Sequence, residues 1–275
     1  MKTDALDAGV LCWHPPVPPF GLPSAGYLAP LGCQRLSRYV AGNTKELAVI
    51  RVPSEEEEQH RHVHRQREAL VRARTKLQAQ GRALLVTHGQ PALQRWWRPR
   101  GWKALGTLLP AWLLARLEVF RPVLLVLDTQ IAALTAELEK AAAPELPAGL
   151  GQLTSVVVSR EVCDWHRFQN RRQVRSYPGL CPGEYSSGGK RMPGSVTKHG
   201  NPRLRAALVE LAWRLVRFQP QYPPVHKRLA IPAKGARATG AARKKAIVAV
   251  ARQLAVDLWR WQTGQCSAAQ LGLQP

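Results

Sequence analysis

Two adjacent hydroxyls, Ser186 and Ser187, stand beside Gly188 and Gly189, and Lys190, Arg191, Lys198, His199, Arg203 and Arg205 follow within twenty residues. A serine on a Gly-rich segment can approach a phosphodiester closely, and cations near a helix start can hold the charge that develops during attack. The same residues also describe a basic loop that only clamps phosphate, with both serines as ordinary polar groups. Lys190, Arg191, Lys198, Asn201, Arg203 and Arg205 are the candidate nucleic-acid contacts under either reading. A second constellation lies at the beginning of the chain. Asp4 and Asp7 are three apart in KTDALDA, one helix face if the segment is helical, and such a pair can share a hard divalent cation. Alone, a D-x-x-D pair is more often a pair of solvated charges.

The elements that must position the serines follow from punctuation. Pro178, Gly179, Pro182, Gly183, Gly188, Gly189, Pro193 and Gly194 predict a loop with no continuous helix or strand. Asn201 then reads as an N-cap and Pro202 as the first helical position, with Leu204, Leu208, Leu211 and Leu215 on one face.

Both blocks carry a resemblance. GLCPGEYSSGGK (179–190) followed by SVTKHGNPRLR (195–205) resembles the C-terminal transposase domain of the insertion-sequence-110 family, in order and spacing. There a serine of the SSG block is the nucleophile that cuts DNA and becomes joined to it. The resemblance carries that role to Ser187, with Ser186 as the other candidate. It also makes Asp4 and Asp7 the last two acids of a four-carboxylate DEDD site on a RuvC-like (RNase H) α/β domain, where they would hold Mg²⁺. The family's first Asp and Glu lie upstream of KTDALDA, so the resemblance implies an N-terminally truncated copy with an incomplete metal site. Residues 13–32 hold six prolines and interrupt the expected run into CQRLSRYVAGN (33–43), as an insertion would.

The rest of the 275 residues fits one or two domains and a polyanionic partner. Forty Lys and Arg against 18 Asp and Glu give a net charge of +22 and a pI near 10.9, with the excess spread from Arg61 to Arg260. No apolar run approaches a membrane span, and the N-terminus lacks a signal-peptide core. The five scattered cysteines show no C-x-x-C spacing, which reads as reduced cytoplasmic thiols without zinc or disulfides.

Along the chain, Lys45–Val52 is β-like. Ser54 with Glu57 forms a capping box, after which Val63, Leu70, Leu77 and Leu84 recur every seven residues. Residues 87–110 read as a turn-rich connector. Trp96, Trp97 and Trp102 there suit the foot of a helical bundle better than base stacking. Leu113, Leu117, Phe120, Leu124, Leu127, Ile131, Leu134 and Leu138 form a second heptad seam, with a kink expected at Pro122. Gly149-Leu-Gly151 resembles the hairpin of a helix-hairpin-helix motif, and Glu161 and Asp164 read as acid–base helpers or structural polars. Gln219–Lys234 reads as a Pro-broken loop and Ala241–Gln262 as a final amphipathic helix.

The expected fold is mainly α in three parts. Residues 1–53 form the RuvC-like remnant, 54–141 a coiled-coil helical hairpin, and 142–275 a small helical transposase domain. The expected function is an insertion-sequence transposase or site-specific DNA recombinase, impaired in this copy. The alternative is a non-catalytic nucleic-acid-binding remnant, or a dominant-negative partner of the full-length enzyme. The family implies DNA, a structured bridge RNA and a homo-oligomer built through the coiled coil as partners, in the bacterial cytoplasm at the nucleoid, with no membrane.

Overall fold

The computed structural model describes residues 30–43, 51–143, 145–187, 190–229 and 240–275. The chain divides at Pro53/Ser54 into two compact units. In the first, the described secondary structure is α1 (Pro30–Val40). Asp4, Asp7, residues 13–29 and most of the β-like Lys45–Val52 lie outside the described residues.

The second unit is mainly helical, and it opens with α2 (Glu55–Thr87). Its start follows from the predicted capping box: the Glu57 amide donates to Ser54 Oγ at 3.2 Å, and the Ser54 amide donates to Glu57 Oε2 at 2.9 Å. The predicted connector is more ordered than its turn residues imply, because α3 (Pro99–Leu108) fills its second half. Then come α4 (Ala111–Glu118) and α5 (Arg121–Lys140). Pro122 sits in the first turn of α5, where a missing N–H costs nothing, so the chain breaks before it instead of kinking at it.

α2 and α5 pack antiparallel. Arg74 reaches Asp128 at 2.9 Å, while Arg67, earlier in α2, donates to Thr135 Oγ1, later in α5, at 2.7 Å. Leu117 of α4 and Leu124, Ile131 and Leu138 of α5, seven apart, are all buried. On α2 the fully buried positions are Arg61, His64, Gly81 and Leu85, so the predicted Val63–Leu84 row is only half-buried. Trp96 and Trp97 are buried at the foot of the pair, as packing residues. Gly81 is there for Trp96: a Cβ on it would lie 2.1 Å from the indole ring.

Ala111–Lys140 corrects the expectation that no apolar run approaches a membrane span. By length and composition it qualifies, at a mean hydropathy of 1.4 over its best window. The reading missed it because polar residues are scattered through it. One of them, Asp128, gathers Trp97, Arg74 and Arg98.

The remaining elements are α6 (Gln152–Val162), α7 (Arg171–Ser176), β1 (Pro182–Ser187), β2 (Lys190–Val196), α8 (Pro202–Phe218), α9 (Pro223–Leu229) and α10 (Gly240–Gln262). Their core runs through Val158, Val162, Leu204, Leu208, Leu211, Leu215, Ile247, Val250 and Leu254, the predicted inner faces of α8 and α10. Two expectations are corrected. The Pro/Gly-rich stretch before α8 is an antiparallel hairpin, and the stretch after Gln219 contains α9. Proline tolerates the hairpin because a two-stranded sheet consists only of edges, so a lost donor can face outward.

Candidate functional site

The hairpin settles where the serines sit. In its register Ser187 faces Lys190, Ser186 faces Arg191, Tyr185 faces Met192 and Glu184 faces Pro193, with a bulge between Pro182 and Glu184. Gly188 and Gly189, between the two strands in sequence, lie outside the described residues. Just behind the tip Tyr185 is 75% exposed and Met192 57%. The two serines and two cations thus share the end of a ribbon.

Its base is held rigidly. The Thr197 amide donates to the Cys181 carbonyl at 2.9 Å, the Lys198 amide to the Gly179 carbonyl at 3.2 Å, and the Asn201 amide to the Tyr177 carbonyl at 2.9 Å. Gly179 has φ +66°, and a Cβ there would lie 2.0 Å from the His199 carbonyl oxygen. Gly200 has φ +117°, with its Cβ position 2.2 Å from the Tyr177 carbonyl oxygen. Both glycines exist because backbone meets backbone here. Arg205 spans the same crossing, donating to the carbonyls of Pro178 (2.8 Å) and Lys198 (3.0 Å).

Asn201 caps α8 as expected, its Oδ1 accepting from the amides of Arg203 (3.0 Å) and Leu204 (3.1 Å). Its Nδ2 donates to Glu161 Oε2 at 2.7 Å, and Glu161 is 1% exposed. The other carboxylate oxygen lies 2.7 Å from His64 Nε2 and 3.4 Å from Arg65 Nε, both on α2. The Glu161 carbonyl accepts from Arg61 and from the Tyr177 hydroxyl, each at 3.1 Å. Burial pushes the Glu161 carboxyl up, but hydrogen bonds from His64, Asn201 and Arg65 and the Arg65 charge outweigh it and hold it down to about 2. So placed, Glu161 joins α2, α6 and the α8 N-terminus. Asp164 accepts from the His166 amide at 2.8 Å and shapes the turn after α6.

The candidate residues therefore fall into two groups. Ser186, Ser187, Lys190 and Arg191 form the tip; Lys198, Asn201, Arg203 and Arg205 form the base, roughly 15–20 Å away at the rise of a strand. At the base Arg203 pairs with Glu68 of α2 at 2.7 Å, and Lys198 is exposed with a left-handed backbone, φ +58°. Among the described residues no group of three His, Cys, Asp or Glu could hold a metal ion. Sequence reasoning missed His64, 97 residues before Glu161, and Tyr177, which lies 16 residues after it beyond α7. No spacing pattern announces them.

A sequence model of the transposase IS116/IS110/IS902 family matches residues 146–227, the stretch from the turn before α6 through most of α9. That stretch is a transposase domain of this family. The chain is 33% identical to the transposase y4rJ of Sinorhizobium fredii over 82% of its own length and 63% of that protein. It is 30% identical to a family 20 transposase of Pseudomonas aeruginosa over 64% of its length and 56% of the relative. It is also 30% identical to the transposase for insertion sequence element IS1328 of Yersinia enterocolitica, over 52% and 46% respectively. The chain thus spans between about half and somewhat under two thirds of these transposases. The matched stretch contains the whole hairpin, its clamp, Glu161 and α8.

Proposed function

We propose that this chain acts as the strand-cutting and joining part of an insertion-sequence transposase, with Ser187 as nucleophile. One observation supports this most: adjacent serines opposite adjacent cations, at the tip of a hairpin whose base is locked. Ser187 Oγ would attack a DNA phosphorus. A phosphoserine ester forms, one phosphate–deoxyribose bond breaks, and the departing strand end takes up a proton as a hydroxyl while the serine gives its own to solvent. Lys190 and Arg191 would neutralise the phosphate under attack, and Lys198 and Arg205 the flanking backbone. Asn201 and Arg203 act one step back, by holding the α8 start in place.

Mg²⁺ belongs to the same proposal, with Asp4 and Asp7 as the candidate ligands and neutralisation of phosphate charge as its contribution. The partners would be DNA, a structured bridge RNA and further copies joined through the α2–α5 hairpin, in the bacterial cytoplasm at the nucleoid.

Incubation of the chain with DNA bearing an element end, in Mg²⁺ and together with a full-length relative, tests the serine. A denaturant-stable protein–DNA adduct should form on this chain, persist in Ser186→Ala and vanish in Ser187→Ala. An adduct unchanged in Ser187→Ala removes the assignment.

A second reading is favoured by the outer face of α4–α5, where Val119, Val123 and Val126 are 67%, 47% and 60% exposed. Through that stripe the chain would pair with a full-length transposase and hold it inactive. Excision that falls as this chain is titrated in, whatever residue stands at 187, supports the inhibitor; excision that requires Ser187 supports the enzyme.

A further inference from the structure

The inner face of α8 is committed to the core through Leu204, Leu208, Leu211 and Leu215. On an amphipathic helix the opposite stripe normally carries solvated charges. Here it carries Trp213, 39% exposed, and the helix ends on Phe218, 51% exposed. They line an open groove of about 730 Å³ together with Arg205, Glu210, Arg214 and Arg217. That volume falls within the range of ligand-binding sites.

Each ring is paired with guanidinium. Arg243, from α10, lies 5.2 Å from the Trp213 ring centroid, while Arg217 and Arg214 lie 5.5 Å and 5.7 Å from that of Phe218. Arg214 is anchored to the Gly149 carbonyl at 3.0 Å, and Arg205 to the two carbonyls at the hairpin base, so two of the groove's cations are preset. Glu210 is the acid among the lining residues, against three arginines. The groove's lining includes Arg205, the residue that also locks the hairpin.

We propose that this outer face of α8 is a stacking groove for an unpaired polynucleotide strand, continuous through Arg205 with the phosphate contacts at the hairpin base. Exposed aromatic faces and guanidinium planes at one site match what unstacked bases offer, and the positive charge matches the backbone that links them. A paired duplex hides its base faces and gains nothing from Trp213 and Phe218. The idea rests on the nucleic-acid reading above and assigns it a second, strand-selective site.

The test uses the whole chain, a fluorescent oligothymidylate, an abasic strand of equal length, and a duplex, at one salt concentration. Wild type should bind the oligothymidylate more tightly than the abasic strand. Trp213→Ala should lose about tenfold for the oligothymidylate, by loss of base–aromatic stacking, and abolish its advantage over the abasic strand. Trp213→Phe should restore most of the loss, and duplex affinity should stay within about twofold. Equal losses on all three probes, no loss, or a change in oligomeric state with unchanged binding overturns the groove; the last makes it an interface between copies. Wild type that binds duplex while Trp213→Ala is indifferent removes the groove alone. Wild type that binds no polynucleotide removes the functional reading with it.

Discussion

The two ends of the β1–β2 hairpin differ as much as any two regions of this molecule. At its base, backbone lies on backbone at Gly179 and Gly200, Arg205 straps the crossing, and the buried Glu161 ties the adjoining helix start to α2. At its tip, two serines and two cations stand beyond a cross-strand pair of exposed side chains, Tyr185 and Met192. The difference teaches a division of labour. Groups that must meet a large, variously shaped polyanion are carried outward, and the geometry that aims them is fixed where water is excluded.

The base should therefore break first. Glu161→Leu strands His64, Arg65 and the Asn201 amide, and removing one partner of a buried charged cluster costs ~3–5 kcal/mol. At the usual sensitivity for a unit of this size, that is a fall of roughly 10 °C in Tm, read by calorimetry. A Tm within a degree or two of wild type would mean the network contributes no stability.

Acid should reveal the same group. The folded Glu161 carboxyl titrates near 2 against an ordinary 4.5, so its contribution is fully present above about 4.5 and is lost as pH falls toward 2. The amount is about 3 kcal/mol. Glu161→Gln keeps the shape and removes the ionisation, so its stability should run flatter than wild type below pH 4.5 in urea titrations. Parallel curves would assign the acid limb to other carboxylates.

Gly179→Ala and Gly200→Ala come next, at ~1–3 kcal/mol each, since both need positive φ and neither has room for a Cβ. The effect should be local. Hydrogen exchange at the Lys198 and Asn201 amides, bonded to Gly179 and Tyr177, should accelerate while the α5 amides keep wild-type rates. Acceleration spread evenly over α5 would show that the base is not a separate unit.

The elements inside this comparison were unequally legible in the sequence. The α8 cap was plain, because Asn201, Pro202 and the leucine spacing are local signals, as was the capping box at Ser54. The hairpin was not, since dense Pro and Gly argue against strands in general, and only a pair made of two edges escapes that argument. Glu161 was visible as an acid but not as a junction, because its partners come from α2, 97 residues earlier at His64, and from Asn201, 40 residues later. The Trp213 face was missed for a related reason: alternate sides of one helix must be compared before an exposed aromatic stands out. The tryptophans at 96 and 97 drew attention by clustering and proved to be packing.

The smallest expected effects sharpen the comparison most. Ser186→Ala, Ser187→Ala and Arg191→Ala alter the tip, where among the described residues the strands pair only with each other and the residue behind them is exposed. Each should change stability by no more than about 0.5 kcal/mol, as surface substitutions do. A drop of ~2 kcal/mol or more in any of them would place the tip inside a packed structure and end the division drawn above. If stability holds and Ser187→Ala alone removes the DNA adduct, the hairpin is an arm whose end is free to do chemistry because its base is not free to move. The Glu161 variants complete the argument from the other side. They should weaken adduct formation in proportion to the loosening of the base, even though residue 161 is remote from the tip and touches no DNA in this scheme.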